Sequence, residues 1–347
     1  MTLTLPGALG TGPGADLLAE ARCLVEPGLR ACGERLPAQA RRWAGYHLGL
    51  LDAHGRPVAA ATGKAVRPAL AVSCARAVGG TGREAAGAAV AVELAHAFSL
   101  VHDDIIDRDE VRRHRPAVWK AFGVPAAVLT GDVLLALAHQ VLADAPGPAK
   151  GRALSRLSRS VIELVEGEAL DVSFESRSDV TQDEYAVMAT GKTGALMGCA
   201  CALGALAAGA GEARASHLAS FGRHLGVAFQ IADDLLDIFG TPRSTGKTAG
   251  SDLVTRKKTL PVLAALASAS PAARRLAALY ASPSPPTEEQ VRQAAVWVAE
   301  AGGREAARKA AELQLDLAFA ALDDADPAPS AVRELTALAR LLVDPAS

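Results

Sequence analysis

Two five-residue acidic clusters, DDIID at 103–107 and DDLLD at 233–237, each interrupt a long apolar stretch of helix-forming residues. The i, i+1, i+4 spacing puts the first and last carboxylates of each cluster on one helical face, one turn apart, with the middle one flanking them. The residues between are apolar (Ile105 and Ile106; Leu235 and Leu236), as are the approaches AVELAHAFSLVH and LGVAFQIA. Carboxylates placed in this way repel one another and resist burial unless a cation compensates them. One such cluster would pass as a solvated acidic turn. Two copies on apolar helices call for a fold that holds both against cations, because unpaired buried carboxylates are costly. Asp103, Asp104, Asp107, Asp233, Asp234 and Asp237 form an oxygen-only ligand set. Such a set suits a hard ion such as Mg²⁺, which commonly bridges protein carboxylates to substrate phosphates.

The rest of the chain reads as all-α. Aromatics make up only 4% of it, and alternating β-branched runs with hairpin turns are hard to find. The pattern predicts helices over 15–31, 37–51, 66–78, 84–107, 126–142, 152–174, 182–208 and 213–238. Further helices are expected over 261–267, 271–281, 287–301, 303–322 and 329–342. Breaks rich in Pro, Gly and Ser fall at 143–151, 240–258 and 281–286, and none separates halves of different composition. The expectation is one all-α domain over 15–347, a large helical bundle, behind a leader at 1–14 that lacks the features of a signal peptide.

Of 347 residues, 50% are hydrophobic and 21% charged, a globular balance. Lys and Arg number 36 against 38 Asp and Glu, so no basic excess points to nucleic acid or an anionic membrane surface. Five scattered cysteines without a CxxC pair suggest neither a disulfide framework nor zinc or redox work. They read as reduced thiols packed in the helices of a cytoplasmic protein. The uncharged stretch 194–211 is mostly Ala and Gly, which fits a closely packed interior helix better than a membrane span.

Cations gather near the acidic clusters. Only eight lysines occur, and five of them (Lys64, Lys192, Lys247, Lys257 and Lys258) lie in the short segments TGKAVRP, TGKTG, TGK and RKKTLP. Arg112, Arg113 and Arg115 follow the first cluster as VRRHRP. Carboxylates for Mg²⁺ together with converging Lys and Arg describe a site for diphosphates.

At this point the chain resembles the trans-isoprenyl diphosphate synthases of the polyprenyl synthetase family. The resemblance runs from about residue 63 to 261 through GKAVRP, ELAHAFSLVHDDIID, RRHRP, LTGDVLLALA, GEALD, GKTGALM, FQIADDLLD, GKTAGSDL and KKTLP, in that order. It implies an all-α bundle around a deep cavity, normally a homodimer, with the two aspartate motifs facing each other. It implies head-to-tail (1′-4) condensation of isopentenyl diphosphate with an allylic diphosphate (dimethylallyl, geranyl or farnesyl).

The resemblance also implies roles. Asp103, Asp104 and Asp107 would bind Mg²⁺ on one side of the allylic diphosphate, and Asp233, Asp234 and Asp237 on the other. Arg112, Lys192, Lys247 and Lys257 would contact the allylic diphosphate. Lys64, Arg67, His96 and Arg113 would hold isopentenyl diphosphate without metal. Thr193 and Gln230 would line the reacting centre. Read without that register, His96 is a core histidine, and Thr193 and Gln230 are helix hydrogen-bonders. The sequence departs from the family pattern at Ala65, where Arg is common, at His114, where Gly is usual, and at Glu168, where Gln is common.

The growing prenyl tail would run along the first-motif helix away from the aspartates. Ala95, Phe98 and Ser99, one to two turns upstream of Asp103, would then form the floor, with Phe98 roughly 7 to 8 Å down the axis. An aromatic at five before the motif and a small residue at four before resemble geranylgeranyl (C20) synthases; farnesyl (C15) and longer products are the alternatives. A class I terpene cyclase shares one such motif but has a second of a different type, and a non-catalytic subunit usually loses one motif. Both motifs are intact here.

Overall fold

A computed structural model describes residues 12–58, 63–145, 150–240 and 250–343. It is 78% helical. In chain order the helices are α1 Pro13–Glu34, α2 Ala38–His47, α3 Val66–Ala77, α4 Ala86–Ile106, α5 Val118–Phe122, α6 Val124–Asp144, α7 Lys150–Ser176, α8 Gln182–Ala189, α9 Ala195–Ala207 and α10 Glu212–Phe239. They continue as α11 Ser251–Val254, α12 Leu260–Leu266, α13 Pro271–Tyr280, α14 Glu288–Glu300, α15 Gly303–Asp324 and α16 Pro329–Val343.

The centre of the bundle is apolar on every side. Helix α4 packs on α3 and α6, α9 on α3, and α10 on α9 and α15. Every residue of α9 from Ala195 to Leu206 is buried, so the uncharged stretch read from the sequence is an interior helix. Arg83–Ile106, Val124–Asp144 and Gln182–Ala207 are each long and apolar enough to cross a membrane, yet 72% of the first and third windows is buried inside the protein. The window in α6 is only 44% buried. Its surplus is exposed at Val124, Val128 and Leu129, and α7, which packs on α6, exposes Ile162, Val165 and Val172.

Several boundaries follow from local chemistry. Thr181 and Glu184 form a capping box that starts α8, and Thr287 and Gln290 do the same for α14. Helix α1 begins at Pro13, inside the stretch read as a leader. The helix expected over 37–51 stops at His47, where Gly49 turns the chain with φ +74°. The helix expected over 182–208 is broken by a π-helical turn at Thr190–Gly194. Two elements had no helical signal to find: helix α5, and a hairpin pairing β1 Val111–Arg112 with β2 Arg115–Pro116. All five cysteines are free thiols; Cys23 is exposed and the other four are buried.

Candidate active site

Both acidic clusters fall at helix C-termini. Asp103 and Asp104 occupy the last turn of α4, and Asp107 caps it with its N–H on the Asp103 carbonyl. Asp233, Asp234 and Asp237 lie in the last two turns of α10. A helix C-terminus is the negative end of the macrodipole, so each cluster adds carboxylates where the backbone already disfavours them. Burial and the Glu168 carboxylate push Asp103 up to about 7, with Asp107 adding to the effect while Lys192 and Arg112 oppose it.

The cations come from three other elements. Lys192 projects from the π-helical turn, its Nζ 2.7 Å from Glu168 Oε2 and 2.6 Å from Asp171 Oδ2 on α7. Lys257, after α11, lies 3.2 Å from the same Asp171 oxygen. Burial works against the Lys257 charge, but Asp171, Asp252, Asp107 and Asp234 outweigh it and raise its pKa. Those neighbours include Asp107 from the first cluster and Asp234 from the second, so one ammonium feels both. Burial alone would raise Asp171; Lys257 and Lys192 win and hold it below the usual carboxylate range.

The third cation is Arg112 on the hairpin. Its Nε donates to Asp104 Oδ1 at 2.8 Å and its Nη2 contacts the same oxygen, with Asp109 at 3.6 Å. Asp104 is 1% exposed. The structure thus places this middle aspartate against Arg112, while Asp107 and Asp233 are exposed. The turn of the hairpin needs two residues in the left-handed region, Arg113 (φ +52°) and His114 (φ +61°). That geometry is why glycine suits the position His114 occupies.

In the second cluster Asp234 is buried and accepts from Tyr185 OH at 2.6 Å and from Gln230 Nε2 at 3.0 Å. Burial pushes its pKa up to about 6 against those two bonds and Lys257. Gln230 Oε1 accepts from Thr193 Oγ1 at 2.7 Å, so Thr193, Gln230, Asp234 and Tyr185 form one chain of hydrogen bonds. Asp237 accepts from Ser251 Oγ at 2.5 Å and from the Asp252 N–H at 2.9 Å. Asp252 is pushed up to about 7 by burial and by Asp237.

On the other flank, Lys64 is exposed just before α3 and Arg67 lies within it. Burial lowers Arg67 to about 10 against the pull of Glu93 and Asp103. Glu93, His96, Asp103 and Asp107 follow one another along α4 at spacings of three, seven and four, a single helical face. Burial and Glu93 are likewise the first influences on Arg113, which is lowered. Ala65, at the departure from the family pattern, is a buried left-handed residue (φ +57°) that begins α3.

Down α4 from the aspartates, Ala95, Phe98 and Ser99 are all buried. The Phe98 ring meets His102 edge-on at 5.0 Å, and Ser99 Oγ donates back to the His96 carbonyl at 3.0 Å. At the far end of α4 lies a cavity of about 670 Å³ lined by Ala86, Ala88 and Val90 with residues of α1, α6, α7 and α9. Buried Leu94, Ala95 and Phe98 stand between it and Asp103.

Lys247 lies outside the described residues. Sequence reasoning missed Asp171, Tyr185, Asp252, Glu93 and His47. Asp171 carried a signal, one turn from Glu168 in GEALD; buried Tyr185 carried none. Among the described residues no three Asp, Glu, His or Cys side chains converge closely enough to hold a metal by themselves. A hard cation here would need oxygens from a bound diphosphate, the usual manner of Mg²⁺.

The polyprenyl synthetase family model matches residues 50–298. The chain is 50% identical over 262 residues to a (2E,6E)-farnesyl diphosphate synthase of Mycobacterium bovis, covering 76% of this chain and 73% of that one. It is 44% identical over 345 residues to a geranylgeranyl diphosphate synthase of Mycobacterium tuberculosis, covering 98% and 97%. A polyprenyl synthetase crystal structure from Streptomyces coelicolor A3(2) superposes with a TM-score of 0.91 at 44% identity, covering 95% of this chain and 99% of that one. With the fold, the helix-borne carboxylates and the sequence in agreement over most of its length, the chain belongs to the polyprenyl synthetase family, as a short-chain trans-prenyl diphosphate synthase and hence a prenyltransferase.

Proposed function

We propose that the protein condenses isopentenyl diphosphate with an allylic diphosphate (dimethylallyl, geranyl or farnesyl) and releases chiefly geranylgeranyl diphosphate (C20). The observation that carries this reading is the order of residues along α4. The carboxylates stand at its C-terminus, and the buried Phe98 ring closes the same helix five residues below Asp103, beside small Ser99 and Ala95. Full-length similarity to a protein named geranylgeranyl diphosphate synthase supports C20. Similarity to one named farnesyl diphosphate synthase supports C15 as the second reading.

Members of the family are metal-dependent. Asp103, Asp107 and Asp233, with Asp104, Asp234 and Asp237 behind them, are the residues that would hold Mg²⁺, and the half-buried Asp103 carboxyl, pushed up to about 7, fits a site completed by a divalent cation. When bound, Mg²⁺ neutralises charge on a leaving pyrophosphate. Arg112, Lys192 and Lys257 bind the allylic diphosphate and meet the charge that grows as its C–O bond breaks and the electron pair leaves with pyrophosphate. Lys64, Arg67, His96 and Arg113 hold isopentenyl diphosphate so that its double bond attacks the allylic carbon. Thr193 and Gln230 present oxygens to the cationic centre, and pyrophosphate takes the proton lost on forming the new double bond. The apolar walls around α4 keep water from the cation.

We also infer a homodimer. The packed pair α6 and α7 exposes Val128, Leu129, Ile162, Val165 and Val172, apolar surface of the kind a second copy covers. The test of the reading is an assay of purified protein with isopentenyl diphosphate, each starter and Mg²⁺, with product length read by mass spectrometry. A C15 product overturns the C20 assignment. A cyclic hydrocarbon from geranylgeranyl diphosphate alone overturns the synthase reading.

A further inference from the structure

A second polar cluster lies on the α1–α3–α4 side of the hairpin. Arg22, Arg67 and Arg113 surround one buried carboxylate, Glu93. Three guanidiniums against one glutamate leave two positive charges in excess around it. More distant carboxylates are Asp103, facing Arg67, and Asp104, facing Arg113. Arg112 is held by Asp104, and Arg115 donates to the Tyr46 and Leu51 carbonyls.

Two histidines stand among these arginines. His96 is faced by Arg67, Arg113 and Arg112 and by His47. His47, at the last position of α2, is faced by Arg113, Arg112 and Arg115. Burial, aided by those guanidiniums, holds both imidazoles well below their ordinary range, so both are neutral in the ligand-free protein near neutral pH. His47 is 7% exposed, and its Nε2 is buried without a hydrogen-bond partner. The same is true of His96 Nδ1 and of the Nε atoms of Arg22 and Arg67. A small cavity separates His47 from Arg112, Arg113 and Arg115. Buried polar atoms are normally satisfied, so a group of orphans beside excess positive charge marks a place for an anion.

We propose that His47 is a further residue of the isopentenyl diphosphate site, and that the diphosphate binds there together with a proton taken up by His47 and His96. This rests on the placement of isopentenyl diphosphate given above. A fully ionised diphosphate is a trianion, more than the two excess charges around Glu93 and only balanced once Lys64 is added to them. Its arrival replaces arginine repulsion at the imidazoles with attraction. An unprotonated ring nitrogen would set a lone pair against a phosphate oxygen, whereas a protonated one donates to it. The proton comes from solvent and leaves with the ligand.

The test is calorimetry of the full chain with isopentenyl diphosphate alone, which cannot react without an allylic partner. It is run near pH 8, where the ligand is fully ionised, in buffers of different ionisation enthalpy. The expected result is a positive slope, proton uptake on binding, with affinity falling by up to about tenfold per pH unit on the alkaline side. His47→Gln should weaken isopentenyl diphosphate about tenfold or more and reduce the uptake, while allylic diphosphate binding stays unchanged. Tight binding by wild type with no uptake overturns the proposal without any variant. A His47→Gln protein with wild-type affinity and uptake overturns the role of His47. Absence of isopentenyl diphosphate binding by the wild type overturns instead the site placement on which the proposal stands.

Discussion

A methyl group on Gly167 would collide with the turn that carries Lys192. A Cβ built there meets Lys192 N at 2.2 Å, the Gly191 carbonyl carbon at 2.8 Å and Lys192 Cα at 2.9 Å. All three are backbone atoms, so no rotamer change relieves the contact. Ordinary contact begins at 3.4 Å, so α7 and the π-helical turn must separate by about 1.2 Å. The Lys192–Asp171 contact of 2.6 Å would then stretch toward 3.8 Å and cease to be a hydrogen bond. Overpacking of this kind costs about 1–3 kcal/mol of stability. Misplacing a positioning group by about 1 Å costs on the order of 10²-fold in rate. Purified Gly167→Ala should therefore melt earlier and lose roughly 10²-fold in kcat/KM for the allylic substrate. The KM for isopentenyl diphosphate should move little, because the groups assigned to it lie on or next to α2, α3, α4 and the hairpin. Wild-type kinetics in Gly167→Ala would refute the idea that this helix contact positions Lys192.

Phe98→Ala should lengthen the product by at least one isoprene unit, since it removes the largest side chain between Asp103 and the cavity at the far end of α4; product mass spectrometry decides, and an unchanged length removes Phe98 as the floor. His114→Gly should raise stability by about 1 kcal/mol, because a left-handed L-residue costs ~1–2 kcal/mol and the extra freedom of unfolded glycine returns part of it; a lower denaturation midpoint would show that the His114 side chain is itself stabilising. Compared with a His47→Gln/His96→Gln variant, the ligand-free protein should lose thermal stability as pH falls below about 6.5, the unfolded-state histidine value, a comparison in which the opposite contribution of the raised Asp103, Asp234 and Asp252 carboxyls cancels. The sign follows from His47 and His96, whose folded pKa values are depressed: their stability is complete above the unfolded value and is lost toward the folded ones as unfolding takes up protons. Inorganic pyrophosphate should reduce that loss, and a melting-temperature difference between the two proteins that stays flat from about pH 7.5 to 5.5 would contradict the burial argument.

Much of this molecule was legible in its sequence because the signals were local. Helical periodicity and the lack of β-branched alternation foretold the bundle, and the acidic clusters foretold where its two charged helix ends lie. The hairpin at 111–116 was not legible, since its turn places Arg113 and His114 in the left-handed region without a glycine to announce it. The break between α8 and α9 was hidden for the opposite reason. TGKTG continues an apolar helical pattern, and only tertiary contact with Gly167 reveals that the backbone bulges there. The supporting groups were hardest to see. Tyr185, Glu93 and His47 gain their roles from neighbours 49, 20 and 66 positions away (Asp234, Arg113 and again Arg113), and no spacing rule reaches so far.

Helix α4 is a single unbroken rod from Ala86 to Ile106, with the aspartates at one end and Phe98 partway down. The proposed anchor for the reactive head and the proposed stop for the hydrocarbon tail are therefore joined by continuous backbone hydrogen bonding, with no hinge between them. Thermal motion of the surrounding helices can shift the side chains packed against α4, but it cannot change the distance along the helix from Asp103 to Phe98. That distance is metered in steps of ~1.5 Å by the helix itself. On the proposed reading, product size is retuned by exchanging one side chain on this helix for another a turn away, leaving the carboxylates at its C-terminus untouched.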